Sequence, residues 1–417
     1  MIRALSRRVV HALGRGVDVG TVHLVDGAER TTFGGKKGPL EVTVTVHDER
    51  FYEALALRGT IGFGESYRDG FWSTDDLVTL VRICVQNSDL LDGIETGLAR
   101  LVQPLQRVFH ALRDNTRRGS RANIAAHYDL GNDLYALFLD ESMTYSCAFF
   151  EHEGQSLAEA QLAKIDRACR KLRLEPGDHL LEIGTGWGAL ACHAARNYGC
   201  RVTTTTISKE QGAHARERVA REGLEGRVTV LAEDYRDLRG RFDKLVSIEM
   251  IEAVGARWWP TFFGRLSELL EEDGVALLQS ITIREDRYEA SLREIDFVKR
   301  YIFPGCCLPT VAGIAEQVGA TDMALAHLED LTPHYARTLR LWRDRFLENK
   351  ARVLALGYDE RFVRLWEFYL AYCEAGFEER YTRDVQVVLE KPRCRTSLAA
   401  EDPSSLSLPR FAGEGTP

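Results

Sequence analysis

Leu180-Leu181-Glu182-Ile183-Gly184-Thr185-Gly186-Trp187-Gly188 is the stretch that decides the fold. A short apolar run is stopped by glycines, and a helical pattern follows from Ala189 to Asn197. Outward from it, a β-branched run at 201–206, a helix over 210–221 and a strand at 228–231 repeat the alternation. Strands at 242–248 and 275–280 flank a helix over 259–270, and Val385-Gln386-Val387-Val388-Leu389 supplies a closing strand after a mostly helical region. Strand-helix alternation of this kind predicts a doubly wound, mostly parallel sheet of the α/β class.

Glycines in such a turn let the backbone come close to a ligand at the strand ends. A dinucleotide site calls for GxGxxG, a wide turn around pyrophosphate. Here Glu182, Gly184, Gly186 and Gly188 give ExGxGxG, the spacing of class I S-adenosylmethionine-dependent methyltransferases, whose cofactor has no phosphate to hold. Thr206 and Gln211 after the second strand suit the ribose and amino-acid ends. Asp234, Tyr235 and Arg236 after the third are placed to frame the adenine, or are simply turn and cap residues.

Composition narrows the rest. A 417-residue chain that is 45% hydrophobic and 28% charged is long enough for a large globular domain with a smaller companion. The formal charge of −8 argues against nucleic acid. No apolar run reaches the roughly 18 residues a membrane span requires. The start, MIRALSRRVVHALGRG, is amphipathic and lacks the unbroken apolar core of a signal peptide. Nine cysteines without CxxC pairs predict neither a disulfide framework nor a metal site, and favour a reducing cytoplasm.

The predicted organisation is a small N-terminal α+β domain at 1–115, a catalytic domain with helical insertions at 116–393, and a disordered tail at 394–417. The N-terminal part holds an alternating strand at 41–46, a glycine-punctuated segment at 58–67 and an apolar helix over 77–85. Arg107, Arg113, Arg117, Arg118 and Arg121 mark a connector that is either a solvated helix face or a contact for anionic headgroups.

The segments GTIGFGESYRDGFW, NIAAHYDLGNDLYALFLDESMTYSCAFFE, LLEIGTGWGAL, TTISKEQ, EDYRDL, IEAVG, FVKRYIFPGCCLP and HYARTLRLWRDRF resemble the cyclopropane-fatty-acyl-phospholipid synthases and their mycolic-acid and methyl-branching relatives, from about Arg58 to Glu390. The resemblance implies a seven-stranded methyltransferase sheet with a helical lipid-facing cover. The implied reaction adds a one-carbon unit from S-adenosylmethionine to the cis double bond of an acyl chain in a membrane phospholipid. It places Tyr145, Ser146 and Cys147 at the cofactor and active-site pocket. It further implies a bicarbonate ion as base, held by Cys147, Glu252, Ile281 and Tyr335 and by a histidine. Gln279 stands where that histidine is expected, and Ala253 replaces a second one.

The cation left by methyl transfer calls for aromatic faces, for which Tyr145, Phe149, Phe150, Tyr301, Phe303, Tyr335 and Tyr369 are candidates. Proton loss from the new methyl closes a cyclopropane. A hydride shift first gives a 10-methylene chain, the product that Gln279 favours and one that implies a reductase partner. The resemblance also implies peripheral contact with the inner face of the membrane and a homodimer. A methyltransferase for small amines or hydroxyls, and a non-catalytic lipid-binding relative, are the alternatives.

Overall fold

The apolar strands predicted around Gly184 assemble, in a computed structural model that describes residues 2–88 and 130–395, into a seven-stranded sheet. A smaller, four-stranded sheet stands before it in the chain. The smaller unit begins with α1 (Ile2–Gly14), β1 (Val19–Asp26), β2 (Glu29–Gly34) and β3 (Lys37–Val46). It continues with α2 (Arg50–Arg68), β4 (Trp72–Thr74) and α3 (Leu77–Gln86), in sheet order β2-β1-β3-β4. The strand predicted at 41–46 is the end of β3, and β1 and β2 are additional to the sequence reading.

The glycine-punctuated segment lies inside α2 and bends it. Gly59 has φ 56° and ψ −137°, outside helical values. A Cβ on Gly62 would stand 1.9 Å from the Ala54 carbonyl oxygen, and one on Gly64 would stand 2.4 Å from the Phe297 ring. These glycines let the two halves of α2 and the catalytic part close on one another.

The large sheet runs β10-β11-β9-β8-β5-β6-β7. After α4 (Leu157–Lys171), entered through a Ser156–Glu159 capping box, come β5 (His179–Ile183), α5 (Ala189–His193), β6 (Arg201–Thr205), α6 (Lys209–Arg221), β7 (Val228–Leu231) and β8 (Phe242–Ile248). Next are α7 (Trp259–Leu269), β9 (Leu270–Ile283), α8 (Glu285–Arg293) and α9 (Phe297–Tyr301). The chain closes with β10 (Ala324–Asp330), α10 (Thr332–Glu348), α11 (Glu360–Glu378) and β11 (Thr382–Glu390). β5 to β9 pair in parallel and β11 lies antiparallel to β9. β10 was not expected: it is an edge strand paired with β11, and His327, Glu329 and Asp330 blur its alternation.

Because β6 and β7 extend to one side of β5 and β8 and β9 to the other, the switch point falls beside Gly184, where such sheets bind ligands. One apolar core runs from the small unit into the catalytic part, joining Trp72 and Phe51 to Phe297, Phe368 and Trp366. Arg364 reinforces this junction by donating to the Tyr67 and Trp72 carbonyls, and Arg82 pairs with Glu379. The boundary expected at 115/116, the connector arginines and nearly all of the expected tail lie outside the described residues.

Candidate active site

The turn after β5 is left-handed at each of its glycines, with φ of 105° at Gly184, 52° at Gly186 and 86° at Gly188. Side chains other than glycine resist these angles. Gly184 and Gly186 wall a cavity of about 620 Å³, together with Glu182, Thr206, Gln211, Asp234, Tyr235, Arg236, Tyr145 and Ser146. The predicted cofactor residues therefore meet in space, except that Gly188 starts α5 as its N-cap and does not wall the cavity.

Each is held by its neighbours. Glu182 accepts from Thr204 Oγ1 at 2.5 Å beneath the turn, and burial lifts its carboxyl to about 8. Thr206 donates to Gln211 at 3.2 Å, and Arg236 clasps Asp234 at 2.7 Å. The Tyr235 hydroxyl is buried without a hydrogen-bond partner in the protein. A buried orphan hydroxyl beside glycines of positive φ is what a polar, phosphate-free cofactor would complete, so the residues fit S-adenosylmethionine.

Deeper in, four elements bring the reaction groups together. Glu249 follows β8, Gln279 and Ile281 lie on β9, Tyr335 on α10, and Cys147 in the segment before α4. Glu249, which the sequence reading passed over, is the hub. Its Oε1 accepts from the Cys147 backbone N–H at 2.8 Å and from Gln279 Nε2 at 2.9 Å, and its Oε2 accepts from the Tyr335 hydroxyl at 2.5 Å. Two of these donors, Cys147 N–H and Tyr335, are among those that the resemblance assigned to bicarbonate, and Gln279 stands at the place of its histidine, whereas the Ile281 N–H also assigned to it goes to Glu252. A carboxylate of the chain fills their anion position, so the arrangement does not fit a separate bicarbonate ion. Glu249 also has φ 47°, a left-handed angle that favours glycine. A glutamate held there marks a position kept for its side chain.

This hub corrects several expected roles. Cys147 and Gln279 are fully buried and approach the cavity only through Glu249. The Cys147 thiol, pushed well up by burial, lies away from the chemistry, and only its backbone N–H is used. Ile281 N–H donates at 2.6 Å to Glu252 Oε1, which also accepts from Ser280 Oγ at 2.9 Å. Glu252 and Tyr335 do wall the cavity. Of the aromatic candidates, Tyr145, Phe303, Tyr335 and Tyr369 face it. Phe149 and Phe150 pack on His334, and Tyr301 donates to Glu65, so these serve the scaffold.

The electrostatics separate the carboxyls. Burial raises Glu252 to about 8, with the charge of Glu249 adding to it. Asp384 on β11, which accepts from Gln279 Nε2 at 2.8 Å, is held well above the carboxylate range by burial and then by Glu249. Burial also raises Glu249, but Tyr335, Cys147, Lys164 and Gln279 pull it back. One negative charge disfavours another nearby, so the Glu249 carboxylate pushes Glu252 and Asp384 further up, while it accepts hydrogen bonds from Tyr335, Cys147 and Gln279 itself. Gln279 is locked in orientation because its Oε1 accepts from Gln386 at 3.0 Å. Lys164, buried, donates to Ser146 Oγ at 2.7 Å and offsets the acidic cluster. The sequence signal for Glu249 was IEMIEAVG itself, with two glutamates three residues apart after a strand.

The cofactor turn opens onto an aromatic-lined cavity, and comparison with known proteins places this arrangement in one family. The family model for mycolic acid cyclopropane synthetase matches residues 115–387. The chain belongs to this family. The tuberculostearic acid methyltransferase UfaA1 of Mycobacterium tuberculosis is 43% identical over 341 residues, covering 79% of each chain. The cyclopropane-fatty-acyl-phospholipid synthase of Escherichia coli is 36% identical over 356 residues, covering 85% of this chain and 89% of its own. Among solved structures, the mycolic acid cyclopropane synthase CmaA1 complexed with SAH and CTAB superposes with TM-score 0.62 at 36% identity, over 65% of this chain and 98% of that one. Like the rest of the family, the protein is an S-adenosylmethionine-dependent enzyme of class I fold that modifies unsaturated fatty acyl chains. Among the described residues no helix is long and apolar enough to cross a membrane, and no cluster of metal-ligating side chains occurs.

Proposed function

We propose that this enzyme methylates the double bond of a membrane phospholipid's acyl chain and uses the Glu249 carboxylate as its base, giving a 10-methylene chain. S-adenosylmethionine, when bound, supplies an electrophilic methyl group. The glycine turn positions that cofactor, and the apolar and aromatic part of the lining shields the cation that forms on the acyl chain. Tyr145, Phe303, Tyr335 and Tyr369 offer ring faces to that cation. After a hydride shifts from the methyl-bearing carbon to the adjacent cationic carbon, the positive charge sits at the branch, Glu249 takes a proton from the new methyl, and the C–H electron pair forms the C=C bond of the methylene group.

The observation that carries this reading is the convergence of Cys147 N–H, Gln279 and Tyr335 on Glu249. The methylene product is supported by the 43% identity to a protein named a tuberculostearic acid methyltransferase. Such a product calls for a reductase to reach a saturated branch.

Peripheral membrane contact belongs to the same reading. On α1, Leu5 and Arg8 face outward while Val10 and Leu13 wall the cavity. Sedimentation with anionic vesicles tests it: binding unchanged by Leu5→Asp with Arg8→Glu would exclude this face.

The product is tested by expressing the chain in a bacterium that makes oleoyl and vaccenoyl phospholipids but has no synthase of its own. Extracted acyl chains one carbon heavier, with vinylidene proton resonances, are expected. Upfield ring protons without vinylidene signals would overturn the methylene product. Absence of any heavier chain, with folded protein that binds S-adenosylmethionine, would overturn the acyl substrate.

A further inference from the structure

The cavity does not stop at Glu249. It continues past Tyr369 and Phe303, whose rings lie 6.2 Å apart, and past Phe368, which meets Phe63 of α2 at 6.0 Å. Beyond these its wall belongs to the small N-terminal unit, with Leu13 of α1, Val22 of β1, and Leu55 and Phe63 of α2. These four apolar residues sit inside the unit and yet are only half-buried, because the cavity opens between them. Protein interiors normally close such voids, and a void walled by apolar groups stays dry and accepts apolar ligands.

The polar groups at this end are committed to the protein. Asn87 Oδ1 accepts from Asp18 N–H at 2.9 Å and Val19 N–H at 3.1 Å, while its Nδ2 donates to the Val19 and Ile83 carbonyls. Ser88 Oγ accepts from Arg287. The wall thus selects for hydrocarbon rather than for a headgroup.

The catalytic part alone already makes a complete enzyme in the mycolic acid synthases, since the family model begins at residue 115 and CmaA1 is almost wholly matched by 65% of this chain. The apolar space in the N-terminal unit is therefore additional to what one reacting chain needs. A phospholipid brings exactly one further hydrocarbon chain, whose exposure to water on extraction from the bilayer is unfavourable.

We propose that the N-terminal end of the cavity is a second alkyl-chain site, which receives the non-reacting acyl chain of the diacyl phospholipid whose other chain lies at Glu249. The proposal rests on the phospholipid reading above. It gives the N-terminal unit a ligand and makes diacyl lipids better substrates than their lyso forms.

The test fills the void in the full-length protein from two walls separately, with Leu55→Trp and Leu13→Phe, so that one variant suffices if the other misfolds. Melting temperature and calorimetric S-adenosylmethionine binding verify each fold. With dioleoyl phosphatidylglycerol in mixed micelles, kcat/KM is expected to fall about ten-fold or more, as loss of burial for a few methylenes implies. Turnover of monooleoyl lysophosphatidylglycerol is expected to hold within about two-fold. Equal losses on both lipids, or none on either, would overturn the second-chain site. Losses on lysolipids that grow with their chain length would instead assign the space to the reacting chain and overturn it too. Native mass spectrometry with dipalmitoyl phosphatidylglycerol, which has no double bond, reads the site without catalysis. Binding to the wild type that is lost in the filled variants supports the site even where the reaction assignment fails, and equal binding to all refutes it.

Discussion

Replacing Glu249 with glutamine isolates the base from the scaffold. The carboxylate accepts three hydrogen bonds, two on Oε1 and one on Oε2. A glutamine can keep its carbonyl toward Cys147 N–H and Gln279 Nε2 and turn its NH2 to the Tyr335 oxygen, which can accept. Stability should therefore change by no more than about 1 kcal/mol, the net value of a single hydrogen bond. Catalysis should not survive. A positioned general base contributes roughly 10²–10⁴ in rate, or about 3–5 kcal/mol of barrier. The assay is transfer of labelled methyl to dioleoyl phosphatidylglycerol under saturating cofactor, with calorimetric binding of S-adenosylmethionine as control. Because burial raises Glu249, wild-type kcat/KM should fall as pH drops through a value above the ordinary carboxylate range. That acidic limb should vanish in the glutamine variant. Glu249→Gly should be inactive too, but bicarbonate should restore part of its activity, because the freed Cys147, Gln279 and Tyr335 donors then converge on an open anion position. A glutamine variant within about three-fold of wild type, or one that keeps the acidic limb, would refute Glu249 as the base.

Other outcomes separate its neighbours. Glu252→Gln, which mimics the protonated form, should retain activity within about ten-fold and show a higher melting temperature than wild type at pH 9. The sign follows from a folded value near 8 against an ordinary one of 4.5: native stability is fully present below 4.5 and is lost as pH rises through 8, a loss the amide avoids. Equal pH–stability curves for the two proteins would contradict it. Cys147→Ala should leave the rate within about ten-fold, since only the backbone N–H engages Glu249, and complete loss would reinstate the thiol. Gly186→Ala, at φ 52° with open space around its Cβ, should weaken calorimetric cofactor binding or stability by about 1–2 kcal/mol through backbone strain. Gly64→Ala should lower the melting temperature by several degrees, by driving a methyl into Phe297 and parting the two units.

The sequence by itself determined the sheet and the cofactor turn. Both are local: apolar runs such as 180–183 fix buried parallel strands, and the spacing of Gly184, Gly186 and Gly188 fixes a left-handed turn whatever surrounds it. The aromatic supply was legible as composition, but not which rings face the cavity, because Phe149 and Tyr145 differ only in what packs behind them. Motif resemblance named Cys147, Glu252, Gln279, Ile281 and Tyr335, which the fold brings near one another around Glu249 and Glu252. It could not reveal that the Cys147, Gln279 and Tyr335 donors are spent on Glu249, since that depends on where a side chain at φ 47° points once β8, β9 and α10 have met. The strand β10 was hidden because an edge strand buries little and so carries little pattern. The continuation of the cavity into the N-terminal unit likewise existed only in three dimensions. Leu13, Leu55 and Phe63 read as ordinary core residues along the chain, and only their packing leaves a space between them.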